Sequence, residues 1–172
     1  MATITAPDRR EAADYYFTYI DQVGEGDILA ILESQAAEAL RLLDGISEER
    51  SLHRYAPDKW TLREVLNHVN DTERLFTFRA LWFARGFESP LPSFDQTVAS
   101  AAARANDRSW TDHVSEFRAI RAATVPFFKG LPADAWMRDG VASGSRFTVR
   151  ALAYIVAGHV THHLTGIRQR YL

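Results

Sequence analysis

Three histidines of the chain have the side-chain chemistry and the spacing that a metal site requires. His159 and His163 are four residues apart within the apolar run Arg150–Leu172, and His68 lies in a second stretch of helical pattern. On an α-helix, residues four apart share one face with Cβ atoms about 5–6 Å apart, so two imidazoles can reach one ion. A third imidazole from a facing helix would complete a three-nitrogen site with one open position. On spacing alone, the pair could equally lie on a polar face at the end of a helix bundle.

A three-imidazole site would support more than one reaction. Neutral imidazoles suit Zn, Ni, Fe or Cu, and among these divalent metals we expect Zn or Ni. Water at the open position could have its pKa lowered to about 7 and act as the nucleophile of a hydrolase. A thiol would instead be deprotonated outright and could attack an electrophile. The chain contains no cysteine, so a thiol nucleophile would have to arrive with the substrate.

Three further residues on the helix of His68 are candidates for catalysis. Asp71 and Thr72 follow His68 by three and four residues, so either could orient a water or a substrate group, and Asp71 is the candidate general base of a hydrolase. Arg79 lies on the apolar stripe of the same helix. It could bind an anionic group such as a carboxylate, together with Arg146 at a basic pocket mouth, or it could pair with a carboxylate of a facing helix.

The other three histidines fit a metal site less well. His162 lies about 100° around the helix axis from His163, at the edge of the apolar stripe. We interpret it as a surface group or as a neighbour that supports the ligands. His53 falls in a predicted loop and His113 near a helix start, and both are interpreted as surface or capping groups.

Apolar residues at a spacing of three to four, together with helix-start signals, predict four long helices that must position these side chains. The predicted helices begin at the N-cap residues Asp27, Thr61, Ser109 and Thr148 and end near Leu43, Gly86, Phe128 and the C-terminus. Glu64 can complete a capping box with Thr61, or it can accept a hydrogen bond from an imidazole. Pro126 is expected to kink the third long helix or to end it early.

The remaining segments complete an all-α four-helix bundle. A weaker helix is predicted from Phe94 to Ala105, after a loop with Pro90 and Pro92 that is long enough for a crossover connection. Short helical turns are expected at residues 14–20 and 131–136, and a loop or small hairpin at residues 138–145. No stretch alternates convincingly as a β-strand. We expect a disordered tail over residues 1–7 and one helical domain over residues 8–172.

Composition narrows the possible functions and partners. The 172 residues suggest one domain with a sizeable core, and the net charge of −2 gives no electrostatic reason to expect a nucleic acid or an anionic membrane as partner. No apolar run reaches the roughly 18 residues that a membrane span needs, and no signal peptide pattern opens the chain. The sequence therefore predicts a cytoplasmic protein that acts on a small molecule, with a homodimer as one possible assembly.

Several of these stretches also resemble a known family. They are Tyr55–Arg74 (YAPDKWTLREVLNHVNDTER), Phe78–Gly86 (FRALWFARG), Leu91–Phe94 (LPSF) and Gly158–Leu164 (GHVTHHL). Together they resemble the DinB-like superfamily of bacterial four-helix-bundle metalloproteins, and the likeness runs from about Tyr15 to the end. It implies that His68, His159 and His163 are the metal ligands.

The superfamily contains thiol S-transferases that use low-molecular-weight thiols, thiol-dependent isomerases, and many members without an assigned reaction. Some relatives carry Gly-Gln soon after the last ligand, where this chain has Thr165-Gly166. The departure concerns the transferase subgroup and leaves the ligand set intact. The resemblance therefore implies metal-dependent activation of a small thiol for transfer to an electrophile. A metal-dependent hydrolase and a non-catalytic, metal-binding stress-response bundle are the alternatives.

Overall fold

The computed structural model describes residues 3–172, and within them the chain forms six α-helices and one two-stranded hairpin. In chain order these are α1 Phe17–Ile20, α2 Ile28–Asp44, α3 Leu62–Ala84, α4 Gln96–Ala103, α5 Trp110–Lys129, β1 Asp139–Ala142, β2 Ser145–Thr148 and α6 Val149–Arg170. Short 3-10 turns lie at Arg9–Glu11, Asp14–Tyr16, Arg50–Leu52, Ala105–Asp107 and Ala133–Met137. The predicted all-α bundle is confirmed, with the hairpin as a small addition.

The four predicted N-caps all cap their helices. The side chains of Asp27, Thr61, Ser109 and Thr148 accept hydrogen bonds from the backbone N–H groups of Leu29, Glu64, Asp112 and Ala151. Such caps satisfy backbone donors that have no partner inside the helix. Glu64 takes the capping role that was one of its two interpretations, because its carboxylate accepts from the Thr61 N–H at 2.7 Å.

The long helices α2, α3, α5 and α6 form the bundle, in which α3 packs against α5 and α6, and α2 packs against the same two helices. Helices α3 and α5 run parallel, since Arg63 contacts the Arg108 carbonyl near their starts and Glu73 contacts Arg121 further along. The segment between them, which contains α4, is therefore the predicted long crossover.

One helix continues past a proline that was expected to disturb it, and another segment takes one of its two predicted forms. Helix α5 continues through Pro126 to Lys129, so the expected early end is wrong. Pro126 lies in the last turn of α5 and costs the helix the hydrogen bond that its N–H would have donated. The segment predicted as a loop or hairpin forms strands β1 and β2, joined by Ser143 at φ 52° and Gly144 at φ 73°. Two positive φ values in a two-residue connection are typical of a type I′ hairpin turn.

The apolar core is divided into two clusters by a polar layer halfway along the bundle. On α6 one cluster ends at Ala157 and the other begins at Val160, with His159 between them. On α3 the clusters are separated between Val69 and Phe76. Buried polar residues from all four long helices fill this layer: Gln35, His68, Thr72, Glu73, Arg121 and His159. The bundle thus buries polar groups at its centre, where they require partners.

The chain before α1 lies against the bundle where it is described. The Ile4 carbonyl accepts hydrogen bonds from the Ile28 N–H at 3.3 Å and from the Tyr154 hydroxyl at 3.1 Å. Residues 1 and 2 of the predicted tail lie outside the described residues, and the division into tail and domain stays a prediction. Across residues 3–172, every helix is too short or too polar to cross a lipid bilayer.

Candidate metal centre and its cavities

The three histidines singled out in the sequence converge on one point in the polar layer. His159 Nε2 lies 3.1 Å from His68 Nε2 and 3.1 Å from His163 Nε2. All three nitrogens lie within 4.8 Å of one another, and no other group of three such side chains occurs in the described part of the chain. Helix α3 contributes one imidazole and α6 contributes two on its inward face. The predicted convergence of one histidine with the four-residue pair is confirmed.

The spacing of these nitrogens fits a metal ion better than it fits hydrogen bonding. Ligands about 2.0–2.1 Å from a tetrahedral ion lie about 3.3 Å apart, close to the two distances observed here. If three neutral imidazole nitrogens faced one another without an ion, at least one lone pair would have no hydrogen-bond donor. The Thr72 hydroxyl donates to the His68 carbonyl at 2.6 Å and can accept from His68 Nδ1 at 3.4 Å, which would leave the Nε2 lone pair free.

The surroundings keep the three imidazoles neutral. Burial lowers the pKa of His68 to about 4. Burial, with the neighbouring His68 and His162, lowers the pKa of His163 to about 3. Burial also holds the pKa of His159 well below its usual range. Metal ions bind the neutral form of imidazole, so at neutral pH the lone pairs are available without the loss of a proton.

Close packing of α1 on α6 fixes the backbone next to His159. A Cβ at Gly158 would overlap the Tyr19 carbonyl oxygen, so only glycine allows α1 this close. The Tyr19 ring meets the His159 ring edge-on, with centroids 5.2 Å apart. On the other side, the Trp60 ring lies 5.1 Å from the His68 ring. Aromatic walls therefore limit the directions from which a ligand can reach the three nitrogens.

Two separate cavities open onto the histidine cluster. The smaller one, about 190 Å³, is bordered by His68 and His159 and also by Thr72, Arg79, Phe94 and Ser143. The larger one, about 530 Å³, is bordered by His163 and also by Trp60, Lys59, Gln169 and Arg170. A ligand in either cavity could reach the cluster, because each cavity is lined by at least one of the three imidazoles.

Arg79 lies on the smaller cavity and has no acidic partner within residues 3–172. It is 2% exposed, and its Nη2 donates to two neutral oxygens, the Ser143 hydroxyl at 2.8 Å and the Pro92 carbonyl at 3.3 Å. Its Nε has no hydrogen-bond partner among these residues. Burial lowers the pKa of Arg79, which the nearby Tyr16 opposes. The alternative of an ion pair with a carboxylate of a facing helix is therefore wrong.

The other catalytic candidates differ in their placement. Thr72 lines the smaller cavity, as its position one turn after His68 predicts. Asp71 lines neither cavity, because it faces Asn67 at 2.8 Å and Arg74 at 3.8 Å on another side of α3. Burial raises the pKa of Asp71. Arg146 is half-exposed and paired with Asp139 at 2.7 Å, away from both cavities, so its expected place at the pocket mouth is wrong.

The remaining histidines are divided between surface and core. His162 is exposed, and its Nδ1 lies 3.2 Å from Gln22 Nε2, consistent with a surface role. His53 is exposed as expected. The interpretation of His113 as a surface or capping group is wrong: it is fully buried, and its Nε2 donates to the Ala105 carbonyl at 2.9 Å. The short turn Ala105–Asp107 covers it.

Sequence patterns missed a buried polar network in the same layer as the histidine cluster. Arg121 pairs with Glu73 at 2.8 Å and donates to Gln35 Oε1 at 2.9 Å. Gln35 in turn donates to the Ala157 carbonyl at 2.7 Å and to Thr161 at 2.8 Å. The network thereby connects α2, α3 and α5 to the part of α6 that carries His159. The sequence does contain a signal for this network, because Glu73 on α3 and Arg121 on α5 are charged residues on the inward faces of their helices.

Comparison with known proteins agrees with this geometry. A family model described as the DinB superfamily matches residues 31–167. Among solved structures, YfiT from Bacillus subtilis, described as a probable metal-dependent hydrolase with an unusual four-helix bundle topology, superposes with a TM-score of 0.73 at 14% identity, over 95% of this chain and 89% of that one. At that identity, the similarity establishes the fold alone. A search of curated proteins finds no match. Because the family model covers most of the chain and the bundle is shared, this chain belongs to the DinB superfamily.

Proposed function

We propose that this protein is a metal-dependent enzyme in which His68, His159 and His163 hold one divalent ion, zinc or nickel in the first instance and iron or copper as the alternatives. The observation that carries the proposal is the convergence of three neutral imidazole nitrogens, in which His159 Nε2 lies 3.1 Å from both His68 Nε2 and His163 Nε2. When bound, the ion would supply Lewis acidity that lowers the pKa of a small molecule at the open position. The chain itself supplies the cage, the aromatic walls and the hydroxyl of Thr72.

The reaction proposed is the activation of a small thiol for transfer to an electrophile. Two reactants need two places beside the same centre, and the cluster has two cavities on different sides. The larger, with Lys59, Gln169 and Arg170 on its border, has the volume and the polar groups for a low-molecular-weight thiol with charged ends. The smaller, largely aromatic cavity would hold the electrophile. Thr72, at the edge of the smaller cavity, would orient the group that reacts.

Hydrolysis is the second candidate, favoured by the description of YfiT and by the open position that three ligands leave. Such a reaction usually employs a side chain that removes a proton from water. Asp71 was the candidate for that role, and its carboxylate faces Asn67 rather than the cluster. No carboxylate borders the smaller cavity within the described residues, and Asp58 on the larger cavity is paired with Lys59 at 2.9 Å, which favours thiol transfer.

The decisive experiment supplies the metal-loaded protein with a panel of bacterial low-molecular-weight thiols and acceptors, such as a monohalogenated aromatic compound and an epoxide. Ester and amide substrates are tested alongside. We expect loss of thiol and formation of a thioether in the presence of protein, and neither for His163→Ala. His53→Ala, an exposed histidine outside both cavities, is the matched control and should react as the wild type does.

The outcomes separate the three functions. Ester or amide cleavage without any thiol reaction would replace thiol transfer by hydrolysis. Metal binding without turnover of either kind would support a non-catalytic metal-binding bundle. A protein that binds no divalent ion would overturn the proposal altogether. The cytoplasmic location and the homodimer stay predictions from sequence, and gel filtration of the loaded protein would test the latter.

A further inference from the structure

Arg79 carries a buried charge that the described part of the chain does not neutralise. Sixteen contacts of other arginines and lysines with carboxylates occur within residues 3–172, among them the equally buried pair of Arg121 with Glu73. Arg79 instead donates to the Ser143 hydroxyl and the Pro92 carbonyl, and its Nε has no hydrogen-bond partner among residues 3–172. Its other neighbours, Tyr16 and the Phe76 ring at 5.6 Å, are uncharged. A buried guanidinium is normally paired, since an unpaired charge costs several kcal/mol to bury. The Arg79 guanidinium therefore has a positive charge with which to bind an anionic ligand.

The place where that anion would bind is the smaller cavity. Arg79 lies on its wall about two turns along α3 from Thr72 and about three turns from His68, so the guanidinium and the histidine cluster face the same space. Most of the rest of the wall is apolar or aromatic, from Tyr16, Leu75, Phe76 and Phe94. A ligand with an anionic group at one end and an apolar body would match this distribution of charge and surface.

The position of Ser143 supports a built site rather than an accidental one. Ser143 occupies the left-handed region with φ 52°, a conformation that costs energy for a residue with a side chain. It thereby brings its hydroxyl to 2.8 Å from the Arg79 guanidinium. The hairpin turn and the crossover loop at Pro92 both hold the same nitrogen of Arg79, which fixes the guanidinium at the cavity and leaves its remaining donors for a ligand.

We propose that the smaller cavity selects a small organic carboxylate with an apolar or aromatic body, bound by Arg79 through its carboxylate and directed at the histidine cluster by its other end. As a statement about the substrate, this rests on the proposed function. Arginine suits the task because its planar guanidinium can form two parallel hydrogen bonds with a carboxylate. The cavity volume of about 190 Å³ limits the ligand to roughly the size of a single substituted ring.

The test uses metal-free protein, so that binding to an ion cannot contribute. Benzoate and benzamide are nearly the same shape and differ in charge, and their dissociation constants are measured by calorimetry or by NMR titration. We expect benzoate to bind at least about tenfold more tightly, the ratio that one charged hydrogen bond supplies. Arg79→Met should abolish this preference, and Arg79→Lys should retain part of it. Arg85→Gln, which removes an exposed charge from the end of the same helix, should retain it fully.

The binding results test carboxylate selection by Arg79 separately from the metal-dependent function. Equal affinities for benzoate and benzamide in the wild type, or a preference that survives Arg79→Met, would overturn the proposal. If Arg79→Met fails to fold, Arg79→Gln decides, because glutamine removes the charge and keeps a polar side chain: loss of the preference supports the proposal, and an unchanged preference overturns it. Because these measurements need no ion and no turnover, a failure here leaves the metal-dependent function standing. Selective benzoate binding by a protein that proves to bind no metal would refute only that function.

Discussion

Glu73 and Arg121 form an ion pair at 2.8 Å in the centre of the bundle, with both side chains 2% exposed. Their remaining atoms, Glu73 Oε1 and Arg121 Nε, have no partner among the described residues. The pair joins α3 to α5 across the layer that also contains the histidine cluster. It therefore ties the helix that carries His68 to the neighbour that runs parallel to it.

Removal of one partner of this pair should destabilise the protein strongly. Arg121→Met leaves the Glu73 carboxylate buried without a counter-charge, and we expect a loss of about 3–5 kcal/mol in the free energy of unfolding. Urea denaturation of metal-free protein measures it. Arg118→Met is the control, since its pair with Asp44 is 3.5 Å long and half-exposed and should be worth at most about 1 kcal/mol. Equal losses for both variants would contradict the importance of burial.

The metal content of the purified protein should depend on three of the histidines and not on their neighbour. His68→Ala, His159→Ala and His163→Ala each remove one nitrogen of the cluster, so we expect each to lose most of the bound ion. His162→Ala changes an exposed side chain next in sequence to a ligand and should bind metal as the wild type does. Elemental analysis per mole of protein measures this. If only His162→Ala lost the metal, the ligands would lie on a different face of α6 from the one that carries His159 and His163.

Two glycines on α6 should respond in opposite ways to the same substitution. Gly158→Ala would place a methyl group on the Tyr19 carbonyl, so α1 must move and the free energy of unfolding should fall by about 1–3 kcal/mol. A methyl group at Gly166 would point into open space. The better helix propensity of alanine should therefore raise the free energy of unfolding of Gly166→Ala by up to about 1 kcal/mol. Denaturation curves of the two variants check the sign. A stabilised Gly158→Ala would show that α1 does not pack closely on α6.

His113 should make stability fall in mild acid. Burial lowers its pKa below 6.5, and the nearby Arg108 and Arg63 act in the same direction while Glu116 opposes them. The unfolded chain therefore binds more protons than the folded one below about pH 6.5, so stability is lost as the pH falls through that value. His113→Gln cannot titrate and should flatten this dependence relative to the wild type. Denaturation between pH 5 and 7.5 measures the slope, and identical slopes would remove His113 as a cause.

Local sequence signals predicted the helices well because those signals act locally. The caps at Thr61, Ser109 and Thr148 need only residues within one turn, and the spacing of His159 and His163 needs only helix geometry. The burial of His113 depends instead on the turn Ala105–Asp107, six to eight residues earlier, which folds back over the side chain in a way that helix periodicity cannot show. The missing partner of Arg79 likewise depends on which helices become neighbours.

The two cavities depend on the same long-range arrangement. The smaller one is closed by the crossover loop at Phe94, ten residues after the end of α3, and by the hairpin turn at Ser143, 59 residues after it. Amphipathic patterns place each helix face toward a core but do not determine which loop covers which face. Candidate ligands could therefore be named from the sequence, while the charge and the walls around them required the fold.

The separation of the three ligands along the chain has a consequence for a protein without cysteines. His68 and His159 are 91 residues apart, so an ion shared between them would act as a removable cross-link that closes most of the chain into a loop. A covalent link across such a distance restricts the unfolded chain by an amount worth about 4–5 kcal/mol. A chelator should accordingly lower the melting temperature as well as any turnover. Nickel or zinc would then perform, reversibly, the constraining role that a disulfide has in secreted domains.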